Sequence, residues 1–253
     1  MNRLQLRADA DLRPWLALRD PRARLLAALL LASTVVSLSH PLPLLASLLF
    51  ALSLALASGL PTPLLLRRLL ALEGFMLVLV IMLPFSVPGD PVLHLGPLTA
   101  SEAGAERALV ILLKANAVVI GLLTLAGTLE PVVLGHALAR LRVPDKLVHL
   151  LLFTVRYIDL LFDEYRRLRL AMRARAFVPG SNRHTWRSYG SLIGMLLVRS
   201  LERSQRILAA MKCRGFNNRL FLVDPSRWHP ADTGFLILSI LPMAGLLLLE
   251  WSL

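Results

Sequence analysis

Residues 25–66 contain no Asp, Glu, Lys or Arg. A helix crossing the hydrocarbon core of a bilayer needs about 20 mostly apolar residues, so this stretch has room for two. Ser39-His40-Pro41-Leu42-Pro43 offers a tight turn between them. The composition agrees: 56% of the 253 residues are hydrophobic and 17% charged, against about a quarter charged in soluble domains. Five apolar segments emerge, at about 25–39, 44–60, 69–85, 108–129 and 234–249. The fold class expected is all-α, a polytopic membrane protein of about five transmembrane helices. Six arginines precede the first apolar run and no small-x-small cleavage site follows it, so that run reads as an uncleaved first span.

Charge sets the orientation. Of the 28 Lys and Arg, 26 lie before the first span, between spans two and three (Arg67, Arg68), or between Arg140 and Arg227. The loops around His40 and over 86–106 have none. Basic loops stay on the cytoplasmic side, which gives an N-terminus inside and a C-terminus outside. A net charge of +12 also invites nucleic acid as a partner, but in so apolar a chain the basic residues read as span anchors, and no nucleic-acid partner is expected.

The 102 residues over 130–231 exceed an ordinary loop. The division expected is an N-terminal transmembrane domain over 1–129, a cytoplasmic domain over 130–231 and a C-terminal span over 232–253. Within the insert, Leu147, Leu151, Ile158, Leu161, Tyr165, Leu168 and Met172 make one stripe of three- and four-residue steps over 145–177. Ile193, Leu197, Leu201, Leu208 and Met211 make a second over 185–216. That periodicity marks two long amphipathic helices, not strands. Gly190-x-x-x-Gly194 would let helices approach closely, and is the candidate packing site between the two arms.

Both arms end in nearly the same words. Ala171-Met172-Arg173-Ala174-Arg175-Ala176-Phe177 closes the first and Ala210-Met211-Lys212-Cys213-Arg214-Gly215-Phe216 the second, each followed by helix breakers. A basic residue in a last turn complements the helix dipole, but that needs only charge. A repeated arginine between small residues fits a guanidinium delivered to a receptor, where its planar fork makes fixed hydrogen bonds. Two such tips call for two equivalent receptors.

Other chemistry is thin. The chain has no Gly-x-x-x-x-Gly-Lys-Ser/Thr, so a P-loop ATPase would have to be another chain. Cys213 is the only cysteine, and His40, His94, His136, His149, His184 and His229 are scattered, so no metal site, catalytic residue or bound cofactor is expected. Glu73, Lys114 and Asn116 are polar groups at membrane depth, where such groups face protein or a partner. Glu73 can also sit near the inner interface, and Lys114 can snorkel toward the outer headgroups.

Arg142-Val143-Pro144 ahead of the first arm, Arg156-Tyr157-Ile158 within it, the two tips, and the continuation to Arg219 resemble the transmembrane T component of energy-coupling-factor (ECF) transporters, nearest the cobalt/nickel (CbiQ or NikQ) branch. The resemblance covers nearly the whole chain. It implies a non-catalytic subunit of an ABC-type importer for cobalt or nickel, in a bacterial inner membrane. Two ATPases bind the ATP, and a separate metal-specific membrane subunit binds the substrate. It also implies that Ala174-Arg175-Ala176 and Cys213-Arg214-Gly215 dock those ATPases. The family more often has Gly where this chain has Ala176, and often Ala where it has Cys213. Two rivals lack support in the residues. A membrane-embedded enzyme needs a nucleophile with a base among the spans, and a stand-alone secondary transporter needs a polar path through them and leaves the paired arms unexplained.

Overall fold

The computed structural model describes residues 16, 18–59, 62–87, 91–95, 98–216 and 228–252. The chain divides into two compact units, residues 1–130 with 226–253, and residues 131–225.

The first unit contains α1 (Pro21–Ser37), α2 (Pro41–Ser58), α3 (Thr62–Ser86), a hairpin of β1 (Pro91–Leu95) and β2 (Leu98–Ser101), α4 (Glu102–Leu125) and α8 (Pro230–Ser252). Among the described residues three helices, α2, α4 and α8, are long and apolar enough to cross a membrane. At 1.5 Å per residue α1 reaches about 25 Å and α3 about 37 Å. Proline opens α1 and α2, where its missing N–H is no loss. Gly59 closes α2 in the left-handed region (φ 72). The segment 86–106, expected as a loop, forms the antiparallel hairpin, with His94 opposite Thr99. Helix α4 starts six residues earlier than the apolar run suggests, because Ser101 caps it by accepting the Gly104 N–H at 3.1 Å.

Small residues set the packing. Ser47, Ala51, Ala55 and Ser58 recur every three or four residues along α2 and are all buried. They pack on α4, where Ala117, Ile120, Gly121 and Thr124 are also buried. Close approach of this kind stands in for the hydrophobic drive that lipid removes. A Cβ on Gly121 would come within 2.7 Å of Leu31 on α1, and one on Gly104 within 2.7 Å of Pro84 on α3.

Helix directions follow from the same contacts. The start of α4 meets the end of α3 at Gly104 and Pro84, so the two run antiparallel. Arg24, near the start of α1, donates through Nε to the Leu125 carbonyl at the end of α4 (3.2 Å) and through Nη2 to Thr128, so α1 opposes α4. Helices α1 and α8 are joined start to start and end to end. Asp232 Oδ1 accepts the Asp20 N–H at 3.0 Å, and Glu250 accepts the Ser39 and His40 N–H groups at 2.7 and 3.3 Å. They therefore run parallel.

The second unit contains α5 (Pro131–Arg140), α6 (Asp145–Ala174) and α7 (Arg183–Cys213). Helices α6 and α7 are the two expected arms, and α5 is an extra helix. It packs on α6 with a glycine at the contact, since a Cβ on Gly135 would lie 2.5 Å from Leu152. The arms are antiparallel. Phe177 and Tyr189 meet edge to face with centroids 5.9 Å apart, and farther along Arg199 pairs with Glu164.

Candidate functional site

The two tips fold identically. Arg175 caps α6 with φ −92 and ψ 23, and Arg214 caps α7 with φ −92 and ψ 13. The next residue is left-handed in both, Ala176 at φ 56 and Gly215 at φ 80. Phe177 N–H reaches back to the Met172 carbonyl at 3.1 Å, and Ala176 N–H to Arg173 at 3.0 Å. At the second tip, Phe216 N–H reaches Met211 and Gly215 N–H reaches Lys212, both at 3.0 Å. This pair of six-to-one and five-to-two bonds is the Schellman motif. It accounts for most of the repeated heptapeptide. The Met172 and Met211 backbone carbonyls accept the six-to-one bonds, Gly215 takes the left-handed backbone without the Cβ penalty that Ala176 bears, and each phenylalanine closes its loop half-buried.

What the cap does not account for is the arginine. Ala174 and Cys213 occupy the last helical position, and Arg175 and Arg214 follow at the cap, all four exposed. Among the described residues neither guanidinium has a hydrogen-bond or ion-pair partner. Gly215 thus has a conformational reason beyond the clearance expected for docking, whereas Ala176 bears the left-handed strain. The arms' antiparallel contact puts the tips at opposite ends of the pair. Arg175 lies eleven residues beyond Glu164, and Arg214 fifteen beyond Arg199 in the opposite direction. Straight helices would then separate them by roughly 40 Å.

The same cap also closes α5. Val143 N–H reaches the Leu138 carbonyl and Arg142 N–H reaches Ala139, both at 3.2 Å, with Arg142 at φ 64. Pro144 then stands at the start of α6. Arg142-Val143-Pro144 is thus the joint from which the first arm departs. Tyr157 stacks on Phe153 at 6.1 Å and lines a groove of about 840 Å3 between the arms, with Leu160, Leu196, Leu208 and Met211.

Gly190 and Gly194 do not pack the arms. A Cβ on either would meet nothing within 4 Å. The inter-arm face of α7 is instead the side carrying Tyr189, buried Leu192 and Arg199. The close helix approaches among the described residues lie instead at Gly104, Gly121 and Gly135. Much of the apolar stripes of the arms is likewise exposed: Leu147, Ile158, Ile193, Leu197 and Leu201 are all more than half exposed.

The membrane-depth polar groups have local partners. Lys114 Nζ donates to the Val36 carbonyl at 2.9 Å, one of the carbonyls that the last turn of α1 leaves free. Asn116 Nδ2 donates to Leu112 one turn back at 3.1 Å. The side chains of Glu73 and His94 lie outside the described residues. Among the described residues no three His, Cys, Asp or Glu come together as metal ligands. Sequence reasoning missed Arg24, Asp20 and Asp232, each under 5% exposed. Arg24 was counted among the basic anchors, and its signal was its place directly before the uncharged run.

A model of the family described as CbiQ, cobalt transport protein, matches residues 13–221, most of the chain and all of both arms. The chain belongs to this family. Membership makes it a non-catalytic membrane component of a transport system. It is 26% identical over 249 residues to the energy-coupling factor transporter transmembrane protein EcfT of Listeria innocua, covering 92% of each chain. It is 30% identical over 148 residues to the cobalt transport protein CbiQ of Rhodobacter capsulatus, covering 56% of this chain and 60% of that one.

Proposed function

We propose that this chain is the coupling subunit of an ECF-type importer for a transition metal ion, cobalt or nickel. In this reading α1–α4 and α8 are its five spans, with the N-terminus on the cytoplasmic side of a bacterial inner membrane. Each arm tip seats its arginine in one of two ABC-type ATPase subunits, which bind and hydrolyse the ATP. The arms carry the ATPases' motion to a metal-specific substrate-binding membrane subunit. Two relatives support the assignment: the Listeria protein carries the name of a transmembrane component of such a transporter, and the Rhodobacter protein that of a cobalt transporter.

The carrying observation is the pair of superimposable caps, each exposing one arginine that the cap does not need. A rigid cap fixes the direction in which the guanidinium leaves the helix, so less conformational entropy is lost on docking. Rigid tips at opposite ends of an antiparallel pair suit two separate receptors.

Removing one partner of a buried charged contact costs about 2–5 kcal/mol. Arg175→Ala or Arg214→Ala should weaken ATPase co-purification with the tagged chain and cut uptake of radioactive cobalt or nickel. The double variant should lose both. Lysine rescues poorly, since an ammonium lacks the planar fork. Arg173→Ala and Lys212→Ala, each two positions from its tip arginine, should matter less. Full retention and full uptake in the double variant would overturn the reading.

A further inference from the structure

The head of the second arm presents ordered apolar side chains that are exposed and meet no partner among the described residues. Asn182 Oδ1 accepts the Thr185 N–H at 2.9 Å, and Thr185 Oγ1 accepts the Gly180 N–H at 3.1 Å. Thr185 is buried, and the Phe177 ring packs against His184 and Tyr189. The turn from α6 into α7 is thus held in one shape, and that shape leaves Val178 81% and Trp186 75% exposed. Trp186, Ile193 and Leu197 lie on one face of α7, seven and four residues apart, with Gly190 among them. This face is turned roughly a quarter to a third of the way round the helix from the side that meets α6. Ile193 and Leu197 are 64% and 59% exposed.

Charge indicates what covers it. Between Glu164 and Glu202 the chain holds eight arginines and no Asp or Glu. Two of them, Arg183 and Arg187, stand within one turn on either side of Trp186. Tryptophan favours the headgroup level of a bilayer. A helix with an apolar face and arginines along its edge lies in the plane of an anionic leaflet. A protein docking face carrying this charge would need a strongly acidic counterpart, whereas a chain already resident in a membrane has the lipid surface beside it.

We propose that the turn between the arms and the first four turns of α7 form a lipid-binding face. Trp186, Val178 and Ile193 seat among the headgroups and upper acyl chains of an anionic leaflet, and Arg183 and Arg187 pair with its phosphates. The contact needs no ATPase, so it stands or falls separately from tip docking.

The test uses the full chain without ATPases, in nanodiscs of phosphatidylcholine and phosphatidylglycerol. Trp15, Trp228 and Trp251 are replaced by Phe, which leaves Trp186 as the sole indole. Its emission should be blue-shifted, quenched by lipids brominated high on the acyl chain and little quenched by acrylamide. Arg183→Gln or Arg187→Gln should each lower the ratio of seated to free face about five-fold, and discs lacking phosphatidylglycerol should do the same or more. A nitroxide at Val178→Cys in a Cys213→Ser background gives an independent reading with all tryptophans intact, and should be more accessible to oxygen than to a water-soluble nickel chelate. Solvent-like emission insensitive to brominated lipid, with a chelate-accessible nitroxide, would overturn the proposal. So would shielding that appears only when the ATPases or a substrate-binding subunit is added, which would make the face a protein docking surface.

Discussion

Gly215→Ala isolates the conformational part of the tip design. Gly215 sits at φ 80, and an added Cβ would meet nothing within 4 Å. The substitution therefore costs no packing, only the left-handed backbone penalty of an L-residue, about 1 kcal/mol. That penalty acts locally, on the last turn of α7, where the Gly215 and Phe216 N–H groups hold the Lys212 and Met211 carbonyls at 3.0 Å. Local opening should become about five-fold more frequent, and hydrogen exchange at positions 215 and 216 should speed up by that factor, with amides near Leu192 unchanged. The first tip offers the reverse change. Ala176 already occupies φ 56, so Ala176→Gly relieves the same strain, offset in part by the extra freedom glycine gives the opened chain. The net gain is about 0.5 kcal/mol, a two-fold slowing at position 177. Exchange resolved by peptide mass spectrometry on the purified chain, normalised to intrinsic rates, reads both. Unchanged exchange in Gly215→Ala, or acceleration spread along the whole arm, would refute the view that these words of sequence are a local Schellman cap. Gly215→Ala should also loosen ATPase retention far less than Arg214→Ala, since it leaves the guanidinium in place.

Arg24→Met keeps the side-chain length but strips the Leu125 carbonyl of its buried donor, which costs about 1–3 kcal/mol and should lower the unfolding midpoint of the detergent-solubilised chain by several degrees. No change would show that α1 and α4 are held by apolar packing alone. Gly121→Leu forces side-chain atoms into Leu31, at a cost of about 1–3 kcal/mol, whereas Gly194→Leu, which faces open space, should leave the midpoint of the isolated chain within about half a kcal/mol of the parent. Equal losses at the two glycines would contradict the packing described for them.

The helices were legible because their signals are one-dimensional. Uncharged runs mark spans, and three- and four-residue steps mark the arms. Helix α5 was not legible: at ten residues, with Gly135 at its contact, it is defined by its fit on Leu152 of α6, which lies 17 residues downstream. The hairpin over 91–101 hid inside a segment rich in proline and glycine, whose composition reads as a loop. At the tips the repeat was legible but its cause was not. The small residue after each arginine suggests clearance for a partner until the backbone shows φ values of 56 and 80. Glycine spacing misled at Gly190 and Gly194 because a small-x-x-x-small pattern shows only that a helix face is smooth. Whether another helix of the chain reaches that face depends on the fold. Arg24, Asp20, Asp232 and Glu250 were invisible for a similar reason, since each bonds to a residue or backbone group that only the bundle brings near.

The coupling account can be tested at the tip itself. Cys213 is the only cysteine and is exposed beside Arg214, so a photoactivatable maleimide on the unmodified chain reports directly on what the second tip touches. Ala174→Cys in a Cys213→Ser background places the same probe at the equivalent position of the first tip. In the purified transporter each probe should crosslink to an ATPase subunit, the bound ATPase should shield each thiol from a water-soluble maleimide, and Arg214→Ala or Arg175→Ala should abolish both effects at its own tip. Thiols equally reactive with and without ATPase, together with crosslinks that bypass the ATPases and persist in the arginine variants, would contradict the account.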